Sequence, residues 1–323
     1  MSESAAERRS VVNYGVANMD GGSMTFNAPV SFQQPATSSS EAPARDRRKA
    51  SATEHWDLGV ITVLAEEASA VTRLLAQDRA YRITERDNGL RFEESIIAAG
   101  GPDLSVVSTR TMKPGPESAS NAFDSLWHLY SPAVVVILGI AGAIHPSLQL
   151  GDVIIALEVI NYDQRKETPA GTRHRGTTFQ VPAVIRRAVN NFFSDNGDPY
   201  QMRTADPDGT TRASRVVAGP VGSGQAVVAD SLSSIRTYLA SFNEKTLGVD
   251  TETGGIAQAW YEKTENENHV GWLAIRGISD TADGAKDDRF HDIAAWHAAS
   301  VLQRLAPYLA PDSWPLAAGE GST

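Results

Sequence analysis

Ala274-Ile275-Arg276-Gly277-Ile278-Ser279-Asp280-Thr281-Ala282-Asp283 is an apolar run that ends in a serine and an acid. The run predicts a buried strand with a carboxylate directly after it. In open α/β sheets the ligand crevice lies at the carboxyl ends of the strands, so Asp280 is predicted to point into that crevice. Taken alone, Ser279-Asp280 is more typical of an exposed acid that caps the following helix. Matching segments elsewhere in the chain favour the first interpretation.

From residue 57 onward, apolar strands alternate with amphipathic helices, a pattern typical of an α/β fold with a mainly parallel sheet. We predict one globular domain over residues 54–312 and a flexible C-terminus over residues 313–323. The predicted strands are 58–64, 105–109, 133–138, 152–162, 215–219 and 273–278, and the predicted helices are 66–77, 117–129, 182–194, 229–242, 253–264 and 290–309.

The first 53 residues differ from the rest of the chain in composition. They are rich in Ser, Ala, Asn, Gln, Gly and Pro, a composition that cannot bury enough apolar surface to form a core. We therefore predict a disordered tail over residues 1–53. Within it, two β-prone arms over residues 11–18 and 23–32 flank Asp20-Gly21-Gly22, an arrangement that resembles a hairpin or an arch.

The composition of the whole chain argues against several kinds of site and partner. Its 323 residues include no cysteine, which removes disulfides, thiol nucleophiles and cysteine-zinc sites, and its 7 histidines form no metal-binding motif. The formal net charge of −10 predicts a poor surface for nucleic acid, which is bound mainly through its phosphates. No run approaches the about 20 apolar residues of a membrane span, and no signal peptide is apparent. We expect a cytoplasmic protein without metal, cofactor, membrane or nucleic-acid partner.

Four further segments accompany Arg276-Gly-Ile-Ser-Asp280 in a specific order. They are Leu58-Gly-Val-Ile-Thr-Val-Leu-Ala-Glu-Glu67-Ala, Gly139-Ile-Ala-Gly-Ala143 followed by Leu150-Gly-Asp-Val153, Gly222-Ser-Gly-Gln-Ala226 and Val249-Asp-Thr-Glu-Thr253. Together these motifs resemble the nucleoside phosphorylase and nucleosidase superfamily, and within it the methylthioadenosine/adenosylhomocysteine nucleosidases. The resemblance covers most of the globular part. It implies a three-layer α/β fold of the phosphorylase type with a central, mainly parallel mixed sheet.

The resemblance implies a chemical role for each of three acids. Asp280 would be the general acid that protonates a departing purine, and Glu67 would orient and deprotonate the attacking water. Glu252 would bind the ribose 2′ and 3′ hydroxyls. Cleavage of an N-ribosidic bond builds positive charge on the sugar, as in glycoside hydrolysis, so the reaction needs an acid and a base. As isolated residues, Glu67 and Glu252 are also typical of acids that begin a helix.

The same motifs imply the residues that line the substrate site. These residues are Ala141, Gly142, Val227, Val228, Asp250, Thr251, Glu252 and Ser279. The chain departs from the family pattern at Thr251, where a methionine usually packs under the ribose, and at Val227, where an aromatic often contacts the base. Asp250 also replaces a glutamate. These departures keep open a different class of function, a signalling adaptor or ligand sensor that retains the fold without turnover.

Anion ligands decide between phosphorolysis and hydrolysis. Phosphorylases of this family carry one arginine soon after the first strand and another just before the glycine turn, because a bound phosphate needs bidentate partners. The corresponding positions here read Leu64-Ala-Glu66 and Ile137-Leu-Gly139. Water is therefore the predicted nucleophile, with a phosphorylase as the alternative. The loop cations Arg110, Arg165 and Lys166 could hold the 5′ phosphates of a nucleotide such as ATP or AMP, although such residues are mostly solvated.

The segment over residues 11–32 carries a second resemblance. Asn13-Tyr-Gly-Val-Ala-Asn18 followed by Gly21-Gly-Ser-Met-Thr-Phe26 resembles bacterial amyloid signalling motifs of the RHIM-like type, which propagate by cross-β stacking. The resemblance implies that an NLR-like ATPase partner engages this segment. It further implies that the enzyme is a homo-oligomeric effector of a prokaryotic immune system. An inert tail is the alternative interpretation.

Overall fold

The computed structural model describes residues 56–98, 103–169, 171–263, 270–283 and 290–310. The predicted tail over residues 1–53, its assembly segment over residues 11–32 and the C-terminal residues 313–323 lie outside these ranges. Within the described ranges, no helix is long and apolar enough to cross a membrane.

Strands and helices alternate along the described ranges. The strands are β1 (Leu58–Thr62), β2 (Arg82–Glu85), β3 (Arg91–Ile97), β4 (Leu104–Arg110), β5 (Val134–Ala143), β6 (Val153–Asn161), β7 (Arg165–Thr168), β8 (Gly171–His174), β9 (Thr177–Gln180), β10 (Tyr200–Ala205), β11 (Thr211–Ser223), β12 (Gly248–Asp250) and β13 (Gly271–Asp280). The helices are α1 (Ala65–Leu75), α2 (Pro116–Tyr130), α3 (Ala183–Asn196), α4 (Ser234–Phe242), α5 (Thr253–Lys263), α6 (His291–Leu305) and a 3₁₀ helix, Ala306–Leu309.

A large mixed sheet forms the centre of the fold. Its strand order is β10-β11-β6-β13-β5-β1-β4-β3-β2, while β12 pairs with β11 and β5, β9 pairs with β6, and β7 and β8 form a separate hairpin. Strands β4, β1, β5 and β13 run parallel, whereas β6 is antiparallel to β13. Antiparallel pairs, β2 with β3 and β10 with β11, form the two edges. The predicted α/β class with a mixed central sheet is confirmed.

Helices cover both faces of this sheet. Gly277 of β13 faces α6, because a Cβ added there would lie 2.0 Å from the Ala294 carbonyl oxygen. The neighbouring Arg276 side chain points the other way, toward Asp250 and Thr253 at the start of α5. Since successive strand residues point to opposite faces, α6 and α5 lie on opposite sides of the sheet. Helix α1 packs beside α6 and α2 packs beside α5, which gives three layers.

Several elements differ from the sequence prediction. The glycine turn predicted at residues 139–143 is a continuation of β5, which pairs with β13 and β12. The hairpin of β2 and β3 was not predicted, because the short β2 is only partly buried and lacks an apolar run. The helix predicted over residues 290–309 is divided into α6 and the 3₁₀ helix near Pro307, which lacks the N–H needed to continue an α-helix.

Candidate active site

A cavity of about 360 Å³ opens at the carboxyl ends of β1, β5 and β13, beside the starts of α1 and α5. Its walls consist of Val63, Leu64, Glu67, Pro114, Ile140, Ala141, Gly142, Tyr162, Ala226, Val227, Val228, Val249, Asp250, Thr251, Glu252, Ser279, Asp280 and His291. The structure therefore brings the predicted acid, base and ribose ligand to one cavity, together with the other predicted contacts except Arg110, Arg165 and Lys166. The predicted acid, Asp280, and the predicted base, Glu67, are more than 200 residues apart in the sequence.

Asp280 reaches this cavity through an irregularity at the end of β13. The pairing of β13 with β5 shifts between Ile278 and Asp280, which leaves Ser279 as a bulge. Bulges redirect side chains at the ends of strands. Asp280 Oδ1 accepts the Ala282 N–H at 2.8 Å, and the Ser279 hydroxyl lies 3.0 Å from Oδ2. The turn itself therefore orients the carboxyl group.

Glu67 is buried where β1 leads into α1. Its Oε2 accepts the N–H groups of Val63 at 2.7 Å and Leu64 at 2.9 Å, and its Oε1 accepts the Ile140 N–H at 2.9 Å. The bond from Leu64 also caps the first turn of α1. A carboxylate offers about four acceptor positions, so these three bonds leave room for one further donor. Glu67 is thus held rigidly and can still accept from a bound molecule.

Arg276 is a residue of this site that the sequence analysis missed. It is fully buried, its Nε donates to Asp250 Oδ2 at 2.8 Å, and its Nη2 lies 3.1 Å from the Thr253 hydroxyl and 3.7 Å from Glu252 Oε2. Burial alone lowers the pKa of the guanidinium, but the carboxylates of Asp250, Glu252 and Glu67 outweigh burial and raise it. Arg276 is therefore a permanent buried cation between three acids.

One nitrogen of this guanidinium faces the Glu67 carboxylate. Arg276 Nη1 is buried and has no hydrogen-bond partner among the described residues. A Cβ added at Gly139 would lie 2.6 Å from Arg276 Nη1 and 2.2 Å from Glu67 Oε1. The two polar groups therefore approach each other beside a backbone position that only glycine can occupy. Unpaired buried donors are rare and mark a place for water or a ligand.

Glu252 joins the start of α5 to the loop between β4 and α2. Its Oε1 accepts the N–H of Gly115 at 3.0 Å and the hydroxyl of Thr251 at 2.5 Å. Burial raises the pKa of the Glu252 carboxyl, and the charge of Asp250 raises it further, while Arg276 opposes both effects. The carboxyl is thus fixed at the cavity wall by groups from two separate segments.

The Asp250 carboxylate is occupied by groups of the protein itself. Its Oδ1 accepts the Ser223 hydroxyl at 2.6 Å and the N–H groups of Glu252 and Thr253, and its Oδ2 accepts from Arg276 and the Thr253 hydroxyl. These bonds start α5 and hold Arg276 in place. A direct contact of Asp250 with substrate stays a prediction, and the geometry indicates a positioning role.

Tyr162 supports the wall that carries the predicted base contacts. Its hydroxyl donates to the carbonyl oxygens of Ala226 at 2.7 Å and Gly224 at 3.3 Å. Burial, with a smaller contribution from the Asp250 charge, raises the pKa of Tyr162 well above its usual value, so the hydroxyl stays a donor. Both Val227 and Val228 line the cavity, but Val228 is buried whereas Val227 is 66% exposed. Tyr162 was not among the predicted site residues; the signal that could have indicated it is its position directly after the apolar strand β6.

The family assignment follows from comparison with known proteins. The sequence profile of the phosphorylase superfamily matches residues 57–309 of the chain. The chain belongs to the phosphorylase superfamily. Among solved structures, a 5′-methylthioadenosine/S-adenosylhomocysteine nucleosidase from Neisseria meningitidis in complex with methylthio-immucillin-A matches the chain with a TM-score of 0.59 and 18% identity. That match covers 79% of this chain and 99% of the nucleosidase, and it supports the fold.

Two curated proteins are similar to the chain in sequence. The chain is 26% identical over 258 residues to the ATP nucleosidase Cap17 of Escherichia coli (strain KTE188), a match that covers 75% of this chain and 49% of that protein. It is 27% identical over 169 residues to a 5′-methylthioadenosine/S-adenosylhomocysteine nucleosidase of Buchnera aphidicola subsp. Acyrthosiphon pisum (strain Tuc7). That match covers 52% of this chain and 65% of the nucleosidase. The chain thus spans about half the length of the first relative.

A second cavity adjoins the first. It measures about 310 Å³ and shares Pro114, Val227 and Thr251 with the first cavity. Lys113 is one of its lining residues. Arg110, at the end of β4, donates from Nε to the Val63 carbonyl oxygen at 2.9 Å. Because Val63 lines the first cavity, Arg110 lies next to a residue of the wall although it is not itself part of the wall.

Arg165 and Lys166, the other predicted phosphate ligands, lie elsewhere. Both are exposed on β7 of the β7–β8 hairpin, and neither lines the active-site cavity. Arg165 forms an exposed ion pair of 3.2 Å with Glu167. The sequence placed them near the ligand because they follow the long strand β6, but the hairpin forms a separate sheet.

The buried position of Arg276 predicts a large effect on stability. Replacing Arg276 by methionine leaves buried acids without their cation, and breaking a buried pair in this way typically costs about 3–5 kcal/mol. We expect a loss of that size in the free energy of unfolding, measured by urea denaturation. Arg165→Met, in an exposed ion pair, is the control and should change it by less than about 1 kcal/mol. Equal losses of unfolding free energy in the two variants would contradict the prediction that the buried ion pairs of Arg276 stabilise the fold.

Proposed function

We propose that the domain over residues 54–312 is an N-ribosyl hydrolase that cleaves a purine nucleoside or nucleotide. The observation that carries the proposal is the convergence of Asp280, Glu67 and Glu252 on one cavity of about 360 Å³. Two carboxyl groups in different surroundings can divide acid and base roles between them. The two similar proteins, an ATP nucleosidase and a 5′-methylthioadenosine/S-adenosylhomocysteine nucleosidase, support a purine substrate.

Asp280 acts on the base. As the C1′–N9 bond breaks, its electron pair moves into the purine, and Asp280 donates a proton to N7 so that the base leaves as a neutral molecule. The Ala282 N–H holds Oδ1, which leaves Oδ2 and the Ser279 hydroxyl to share the transferable proton. Val227 and Val228 contact the purine from the opposite wall, with Ala141 and Gly142 beside it.

Glu67 and Arg276 act on the nucleophile. A water molecule between them donates one hydrogen to the remaining acceptor position of Glu67 and accepts from Arg276 Nη1, the nitrogen without a partner among the described residues. Its oxygen then attacks C1′ while Glu67 takes its proton. Glu252 accepts from the ribose 2′ and 3′ hydroxyls and tolerates the positive charge that develops on the sugar.

The charges at the wall favour water over phosphate as the nucleophile. No Lys or Arg is among the described residues that line the active-site cavity. Arg276 lies behind the wall and is engaged by Asp250 and Thr253. A phosphate at C1′ would need bidentate cationic partners. Phosphorolysis remains the second candidate, because it differs from hydrolysis only in the attacking group.

A nucleotide is the finer substrate proposal. The second cavity continues from the first past Thr251 and Val227, and its lining includes Lys113. Arg110, at the end of β4, and Lys113, in the loop that follows, can pair with 5′ phosphates. The similarity to the ATP nucleosidase of Escherichia coli supports this proposal.

A substrate panel tests these proposals together. We expect free base from adenosine, methylthioadenosine, AMP or ATP in phosphate-free buffer, with ribose or its 5′-substituted form as the second product. Preference for AMP or ATP over adenosine should fall in Arg110→Ala/Lys113→Ala, while Arg165→Ala/Lys166→Ala serves as the matched control. Strict dependence on phosphate would identify a phosphorylase. Absence of free base from every substrate would favour a non-catalytic sensor.

We also propose that residues 11–32 recruit the enzyme into an assembly in the cytoplasm. The support is the resemblance to amyloid signalling motifs, with Asn13, Asn18 and Asn27 placed to form ladders in a stack of identical chains. The same stacking would admit a matching segment of an NLR-like ATPase partner. The enzyme would then be an effector of a prokaryotic immune system.

The assembly proposal predicts fibrils from the isolated segment. A peptide of residues 11–32 should form thioflavin-positive fibrils, and Val16→Pro or Phe26→Lys should block them because either change interrupts a dry stacked interface. Removing the segment should leave the basal turnover of the purified enzyme intact. A peptide that stays monomeric at high concentration would leave only an inert tail.

A further inference from the structure

The turn after Asp280 has an uncommon backbone conformation. Ala282 is a buried, non-glycine residue with φ of 49°, in the left-handed region that costs free energy for residues with a Cβ. Its N–H nevertheless donates to Asp280 Oδ1 at 2.8 Å. A Cβ added at Gly142 would lie 2.8 Å from both Ala282 Cβ and Asp280 Oδ1, so the turn also packs tightly on β5. Surrounding contacts must hold this conformation.

Arg236 of α4 contacts this turn from the other side. Its Nη1 donates to the carbonyl oxygens of Thr281 at 3.0 Å and Ala282 at 3.1 Å. Its Nη2 donates to the Ile144 carbonyl oxygen at 3.4 Å. Ile144 directly follows β5, the strand that carries Gly142. One half-buried guanidinium therefore ties the turn of the acid to the end of the neighbouring strand.

Helix α4 is also continuous with the proposed base-binding wall. It follows the segment that carries Val227 and Val228, and Ser233 caps its start by accepting the Ile235 N–H. Leu239 of α4 belongs to a small apolar cluster that includes Val228 and Ala282. The cluster thus connects the base-binding wall to the turn that presents Asp280.

We propose that Arg236 is a positioning residue for Asp280. By holding the carbonyl groups of Thr281 and Ala282, it fixes the Ala282 N–H that orients the Asp280 carboxyl toward the base. It also couples that orientation to the base-binding wall through α4. This inference rests on the proposed hydrolase function, in which Asp280 supplies the proton to the leaving purine, and Arg236 itself touches neither substrate nor the reacting atoms.

Arg236→Ala should therefore impair proton donation selectively. We expect its turnover of a purine nucleoside to fall about 10- to 100-fold, because small displacements of a catalytic group have effects of this size. Turnover of a p-nitrophenyl riboside, whose leaving group departs without a proton, should stay within about twofold of the wild type, since Asp280 contributes little to it. Thr237→Ala, one position along the same helix, is the control and should change neither rate.

A second measurement tests the contact without relying on activity. Hydrogen exchange of the Ala282 amide should be faster in Arg236→Ala than in the wild type and unchanged in Thr237→Ala. Equal losses on both ribosides, or unchanged exchange at Ala282, would overturn the positioning role. A wild-type enzyme that cleaves no nucleoside would contradict the proposed function instead, and the exchange rates would still decide whether Arg236 holds the turn.

Discussion

Asp280→Asn should lower kcat for a purine nucleoside roughly 10²-fold or more, because general acid catalysis typically contributes ~10²- to 10⁴-fold. Asparagine has the shape of aspartate, so its amide oxygen can still accept the Ala282 N–H. Its NH₂ group can donate a hydrogen bond to N7 of the purine but cannot release a proton. We therefore expect kcat to fall far more than KM changes, measured by chromatography of the released base.

Controls separate this effect from misfolding. The melting temperature and circular dichroism of Asp280→Asn should match the wild type, since the hydrogen bond from Ala282 is retained. Asp283→Asn, in the same turn, is the matched control and should keep wild-type turnover. Wild-type kcat in Asp280→Asn would show that the carboxyl is not the proton donor and that the family role has been assigned to the wrong residue.

Glu67→Gln has the second large expected effect, a loss of roughly 10²-fold or more in kcat, because an amide cannot accept the proton of water. Three backbone N–H groups point at this carboxylate. The glutamine oxygen can face Val63 and Leu64, but its NH₂ group then meets the Ile140 N–H. We expect this donor–donor contact to lower the free energy of unfolding by about 1–3 kcal/mol.

Activity and stability must therefore be measured together for Glu67→Gln. Assays are run well below its melting temperature, where the folded fraction is complete by circular dichroism. Glu66→Gln, the adjacent acid in the first turn of α1, is the control, because Glu66 does not line the cavity. Retention of wild-type turnover by a folded Glu67→Gln would remove Glu67 from the mechanism.

The main acids could be predicted from sequence because each follows a recognisable strand. Asp280 ends the apolar run of β13, and Glu67 follows the apolar run of β1. Burial of those strands fixes where their carboxyl ends meet, so local motifs were sufficient to bring these acids to one cavity. The α/β class followed from the same alternation of apolar strands and amphipathic helices.

Arg276 shows why the rest could not be predicted. Arg276 belongs to the motif Arg276-Gly-Ile-Ser-Asp280, but an arginine within an apolar run does not indicate which residues it will bond to. Its burial is tolerated because Asp250, at the end of β12, and Thr253, at the start of α5, meet it on one face of the sheet. That meeting depends on the register between β13 and β5 and on the packing of α5, which are tertiary properties.

The positions of loop cations were harder to predict from sequence. Arg165 and Lys166 were expected near the substrate because they closely follow β6, yet the β7–β8 hairpin leaves both side chains in solvent. Lys113, by contrast, lies in the loop that leads into α2 beside Glu252, and it lines the second cavity. Charge in a loop predicts exposure, whereas the direction of the loop is set by contacts distant in sequence.

The central claim is that water attacks the ribose in the cavity shared by Glu67 and Asp280. It is tested most directly by the initial rate of free base release from a purine nucleoside, with phosphate absent and with phosphate added. We expect the same rate in both buffers and a sugar product that carries no phosphate on C1′. The rate should be lost in Asp280→Asn. A rate that is zero without phosphate and rises with its concentration, yielding a ribose 1-phosphate, would contradict the account.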